Sequence, residues 1–127
     1  MAEAVLDSSL VLAYLQKEPG SDAAFAAMPS GLMSVVNLAE VVNKLVDGGM
    51  SSDGAINTVG LLPFAVADAD VALAHRAGAL RAETKHLGLS LGDRFCLALA
   101  EREGLPALTG DRKWGQLDFG VSVRLFR

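Results

Sequence analysis

The sequence has one cysteine, Cys96, so it cannot form an intrachain disulfide. No Cys/His cluster has the spacing of a zinc site. Its two histidines, His75 and His86, are eleven residues apart; at a rise of about 1.5 Å per residue that is roughly 16 Å along a helix, too far to share one metal. Proline is scarce at four residues, and there is no glycine period, low-complexity stretch or linker, which excludes fibrous and collagen-like chains. Nowhere is there the run of ~20 apolar residues that a membrane-spanning helix requires. The start, Met1 to Asp7, has no basic region and meets an acid after a very short apolar run, so the sequence reads as a soluble, cytoplasmic protein with no membrane contact. Basic residues are also in deficit: 11 Lys+Arg against 15 Asp+Glu give a net charge of -4. That balance argues against a charge-driven nucleic-acid or membrane-surface binder, but not against a nucleic-acid enzyme with a local site.

What is present is a core-forming composition. Hydrophobic residues make up 51% and charged residues 20% of 127 positions, which excludes disorder and predicts one domain over residues 1–127. Short apolar runs alternate with helix-like segments. Strands are expected at Ala4–Asp7, Leu32–Val36, Phe64–Ala67, Pro106–Thr109 and Val121–Phe126. Helices are expected at Ser8–Lys17, Ser21–Met28, Asn37–Asp47 (stopped by Gly48-Gly49), Ser51–Leu62, Asp68–Leu87 and Ser90–Glu103. In the long Asp68–Leu87 segment, Leu73, Ala77, Leu80, Thr84 and Leu87 recur at three- and four-residue intervals and face a core, leaving Arg76, Arg81 and Lys85 as a solvated face. Phe95 to Ala100 is almost wholly apolar, so the late helix is buried and Cys96 reads as a core thiol. This order predicts an α/β domain with a short, mostly parallel sheet flanked by helices.

In open α/β sheets, sites collect at the carboxyl ends of the strands. Among the acids at strand ends or helix starts, four lie next to apolar segments where such sites converge: Asp7, Glu40, Asp93 and Asp111. Each also has a structural explanation. Asp7 would cap the helix that follows. Asn37 and Glu40 fit a capping box, and Glu40 could pair with Lys44. Ser90 and Asp93 share that three-residue offset, and Asp111 would stabilise the turn before Trp114. Taken together, four carboxylates beside apolar segments are costly unless paired or bound to a cation. Mg²⁺ and Mn²⁺ choose oxygen ligands, and such a site can activate water against a phosphodiester. Ser9, Asn37 and Thr109 are placed to hold these carboxylates or their waters.

Four segments carry a family resemblance: Val5-Leu6-Asp7-Ser8-Ser9, the stretch Ser34 to Val41, the stretch Leu89 to Ala100, and Leu108-Thr109-Gly110-Asp111-Arg112-Lys113-Trp114. In order and spacing they resemble the motifs of PIN-domain ribonucleases, in particular VapC-type toxins of bacterial toxin–antitoxin pairs, over nearly the whole chain. The resemblance implies a PIN-like fold with Asp7, Glu40, Asp93 and Asp111 as a metal-binding catalytic quartet. Thr109 matches the hydroxyl residue that family members often place before the last acid. It further implies Mg²⁺- or Mn²⁺-dependent cleavage of RNA, a homodimer, and inhibition by a cognate antitoxin in a toxin–antitoxin assembly. The segment Val41 to Leu62 corresponds to the helical clip for such contacts.

Other residues keep two readings. Arg94 and Arg112 flank site acids and either hold substrate phosphates or orient the quartet through salt bridges. Trp114 either packs over its turn or stacks on an RNA base. Asp118 reads as structural. A rival of a different class is a non-catalytic PIN-like binding module whose acidic pocket captures an Arg-bearing peptide. A phosphatase of another α/β family is disfavoured, because Asp7 is followed by Ser8-Ser9, so it heads neither an adjacent acidic pair nor an Asp-x-Asp nucleophile motif. Setting the quartet aside leaves eleven acids against eleven bases, so the excess negative charge would lie in one pocket.

Overall fold

The computed structural model describes all residues 1–127. Five short strands, β1 (Ala4–Leu6), β2 (Gly31–Ser34), β3 (Ala65–Ala67), β4 (Ala107–Thr109) and β5 (Val123–Leu125), form one sheet in the order β3-β2-β1-β4-β5. Every pairing is parallel, so the expected mostly parallel sheet is wholly so. The helices are α1 (Ser8–Leu15), α2 (Ser21–Ala27), α3 (Val35–Asp47), α4 (Ser52–Gly60), α5 (Val71–Ala79), α6 (Arg81–Thr84) and α7 (Leu91–Glu103). None is long and apolar enough to cross a membrane.

The central strand β1 is buried on both faces, as parallel strands covered by helices are. Its successive residues divide between two cores because strand side chains alternate. Val5 packs with α5 and α7, through Leu73, Ala77, Phe95, Leu97 and Leu99. Leu6 packs with β2 and with α1 to α4, through Met33, Leu10, Ala24, Val41, Leu45 and Val59. The run from Phe95 to Ala100 is buried as expected, and each large apolar side chain there contributes about 1.5–3 kcal/mol by leaving water. Gly104, at φ 66, closes α7 in the left-handed conformation that glycine adopts without a Cβ penalty.

Two elements differ from expectation. The second strand stops at Ser34, whose hydroxyl accepts the Val36 N–H at 3.2 Å and starts α3 two residues before Asn37. The Asn37–Glu40 pair is therefore inside the helix and is not its capping box. The long helix expected from Asp68 is interrupted. Asp70 caps α5 by accepting the Leu73 N–H at 2.8 Å, and the chain then breaks into α6 and a 3-10 turn at Lys85–Leu87. Near that break the Thr84 hydroxyl donates to the Leu80 carbonyl at 2.9 Å, a side-chain bond of the kind that bends helices. The apolar spacing survives, with Leu73, Ala77, Leu80 and Thr84 all buried. Arg76 leaves the solvated face and grips Glu101 with two bonds of 2.7 and 2.9 Å.

The strand order sets the site. The segment after β1 turns onto the α1 side, whereas the segment after β4 turns the other way and buries Trp114 with the opposite core. A crevice opens where neighbouring strands send their connections to opposite faces. Asp7 follows β1, and Asp111 follows β4 across that point.

Candidate active site

Asp7 is the innermost of the four acids, only 4% exposed. It occupies the N-cap position of α1, yet its side chain caps nothing. Instead Oδ2 accepts the Ser9 hydroxyl at 2.7 Å and the Thr109 hydroxyl at 2.8 Å. Those hydroxyls are themselves anchored. Ser9 Oγ accepts the Gly110 N–H at 3.0 Å, and Thr109 Oγ1 accepts the Asp111 N–H at 3.1 Å. The end of β4 is thus fastened to the start of α1 through a single carboxylate oxygen. Burial pushes the Asp7 carboxyl from 3.8 up to about 6; the two hydroxyl bonds work against that rise, and the charges of Asp93 and Glu40 add to it.

Glu40 is held from two sides. Its Oε1 accepts the Ser8 hydroxyl at 2.6 Å and the Asn37 amide at 2.7 Å. Asn37, fully buried, also donates to the Gly92 carbonyl at 3.0 Å and so ties α3 to α7. Asp93, half-buried in the first turn of α7, forms the expected reciprocal capping box with Ser90. Burial raises its carboxyl; the Ser90 bonds oppose this, and the charges of Glu40 and Asp111 reinforce it. Asp111 lies at the head of a 3-10 turn, accepts the Lys113 N–H at 3.0 Å, and has Lys113 Nζ at 3.9 Å.

The structure therefore brings all four acids into one electrostatic neighbourhood: Asp7 is repelled by Asp93 and Glu40, and Asp93 by Glu40 and Asp111. Of the four, only Asp111 has a cationic partner. No three of them share a single ligating point. The donors are all oxygen and mutually repulsive, which is the chemistry a hard divalent cation matches. Mg²⁺ typically binds few carboxylates directly and keeps several of its waters, so spaced ligands suit it.

Neither arginine joins the acids. Arg94 donates to the carbonyls of Ala77 and Gly78, both at 3.2 Å, and fastens α7 to the end of α5. Arg112 reaches the Arg127 carbonyl at 3.4 Å. Neither forms a salt bridge to the quartet. Trp114 is buried at 1% exposure and packs in the core, so it is not available to stack on a base. His75, His86 and Asp118 are exposed. Cys96 is fully buried, and its thiol is pushed well above its ordinary value by burial and by the charges of Asp7, Asp93 and Glu40. Two residues were missed in the sequence, Ser8 and Gly92. Ser8 looks like the first residue of a helix and nothing more, since its partner lies in α3.

Residues 4–120 match the PIN domain. The chain belongs to the PIN-domain family. The PIN fold is shared with solved structures along its whole length. DNA-bound VapBC from Salmonella typhimurium superposes with a TM-score of 0.76 at 19% identity, covering 100% of both chains. A toxin–antitoxin complex from Klebsiella pneumoniae gives 0.76 at 21% identity over 98% of each chain. VapC20 of Mycobacterium tuberculosis, a sarcin–ricin loop cleaving toxin, gives 0.73 at 17% identity over 94% of this chain and 99% of that one. No curated protein sequence matches the chain.

The largest cavity of this PIN domain, about 340 Å³, lies away from the acids. It is an apolar groove between α3, α4 and β3, lined by Leu38, Val42, Ile56, Val59, Leu62 and Phe64, within and beside the expected clip.

Proposed function

We propose that the protein is a cytoplasmic, metal-dependent endoribonuclease and the toxin of a toxin–antitoxin pair. One observation carries the reading: a buried carboxylate, Asp7, sits at the end of the central strand beside Glu40 and Asp93 with no cationic side chain to neutralise any of the three. A buried charge held in this way is costly for a fold and is useful if a cation binds there. The PIN family and the toxins among its structural relatives support the same assignment.

In this reading Asp7, Glu40, Asp93 and Asp111 hold Mg²⁺ or Mn²⁺. Bound there, the cation would supply an activated water and charge stabilisation for a phosphodiester. Ser9 and Thr109 fix Asp7 through Oδ2, and Ser8 and Asn37 fix Glu40 through Oε1. The second oxygen of each of these two carboxylates accepts no hydrogen bond from the protein. Asp93 or Asp111 would take the proton of the water. The apolar groove between α3 and α4 would take the antitoxin, in a homodimeric toxin.

Purified protein incubated with RNA and Mg²⁺ or Mn²⁺ should cleave it, and Asp7→Asn or Asp93→Asn should abolish cleavage while circular dichroism shows the fold retained. Unchanged cleavage in both variants would refute the assignment. Tight binding of an Arg-bearing peptide, with no cleavage at any metal concentration, would favour a binding module instead.

A further inference from the structure

Gly92 is the second residue of α7, and its backbone is not in the left-handed region that would call for glycine. Glycine within a helix is ordinarily less stable than alanine. Its presence here has a steric reason. A β-carbon at position 92 would overlap the Glu40 carboxylate, meeting its carbon and both oxygens. The Glu40 side chain therefore lies directly against the bare backbone of α7. The same glycine offers its carbonyl to Asn37 Nδ2 at 3.0 Å, and Asn37 Nδ2 in turn donates to Glu40 Oε1 at 2.7 Å. Ser8 closes the third side at 2.6 Å. Three helices thus converge on one carboxylate, and the next residue along α7 is Asp93.

We propose that Gly92 is a positioning residue for Glu40. The notch left by its missing side chain seats the Glu40 carboxylate against the first turn of α7, beside Asp93, and sets the spacing of the acidic site. A side chain at position 92 pushes Glu40 out of its bracket, so that Ser8 and Asn37 lose their shared acceptor and the two acids no longer face a common ligand. This role rests on the acids being a divalent-cation site.

The test is a cycle of Gly92→Ala, Glu40→Ala and the double variant, read by urea denaturation and by calorimetric titration with Mn²⁺. Gly92→Ala should lower the denaturation midpoint of the otherwise unchanged protein. In the Glu40→Ala background, where nothing occupies the notch, the same substitution should raise it. Mn²⁺ affinity should fall about 10–100-fold in Gly92→Ala, the usual cost of disturbing groups that orient metal ligands. If Gly92→Ala alone does not fold, the double variant should, and failure of both to fold would overturn the proposal. A midpoint shift of the same sign in both backgrounds would overturn it whatever Mn²⁺ does. Reversal of sign with no Mn²⁺ binding by the unaltered protein would overturn the cation site, and with it the positioning role, while leaving the steric contact established.

Discussion

Replacing Asp7 by asparagine should inactivate the protein and stabilise it. The folded Asp7 carboxyl titrates at about 6 rather than 3.8, so the folded state holds this proton more tightly than the unfolded chain does. Below 3.8 both states are protonated and Asp7 costs nothing. As pH rises from 3.8 to about 6 the unfolded chain ionises first, and folding loses stability until both states are ionised. At ~1.4 kcal/mol per pH unit, the interval from 3.8 to about 6 amounts to about 3 kcal/mol. Asparagine cannot ionise, and its carbonyl oxygen can replace Oδ2 as acceptor for the Ser9 and Thr109 hydroxyls. The measurement is urea denaturation of both proteins at intervals between pH 4 and pH 8, in EDTA, with the difference in stability plotted against pH. The variant should gain on the parent by up to about 3 kcal/mol across that range. Saturating Mn²⁺ should then restore the parent, by about 2.7 kcal/mol at a hundred times its dissociation constant, and leave the variant unmoved. A difference that stays flat with pH would refute the account of Asp7 as a buried, uncompensated charge.

Thr109→Val removes a donor to Asp7 and an acceptor for the Asp111 N–H with little change of shape. It should cost about 1–3 kcal/mol at pH 8, and less at pH 4 where Asp7 is protonated, in the same denaturation assay. Ser90→Ala, which breaks the capping box of α7, should cost about 1 kcal/mol, whereas Ser90→Gly should cost only a few tenths, as ~0.3 kcal/mol. Cys96 should resist a thiol reagent in the native protein and react only as fast as the chain opens, since the thiol is buried and hard to ionise.

Local signals were legible in the sequence. Ser90 and Asp93 announce a helix start at three-residue spacing, and both bonds of that box are made. Val5 and Leu6, one residue apart, serve opposite cores, as strand alternation requires. Partners distant in sequence were not legible. Asn37 looks like a cap for its own helix, yet its amide spans to the Gly92 carbonyl, and Ser34 does the capping. Arg94 sits next to Asp93 in sequence, but on a helix adjacent residues point in different directions. Its guanidinium turns to the end of α5 instead. The break between α5 and α6 escaped because the apolar spacing continues through it: Ala77 and Thr84 are buried on either side of the interruption, and Leu80 is buried at it.

The place of β1 between β2 and β4 also bears on the order in which the chain is made. Val5 pairs with Leu32 on one side and with Ala107 on the other. Its first neighbour is synthesised soon after it, its second only after a much longer stretch of chain. Until Ala107–Thr109 has emerged and docked, Asp7 has no Thr109 hydroxyl to hold it and Asp111 has no place opposite it. A chain on the ribosome that has not yet made β4 therefore lacks Thr109 and Asp111, and the four acids come together only once this distant strand has docked.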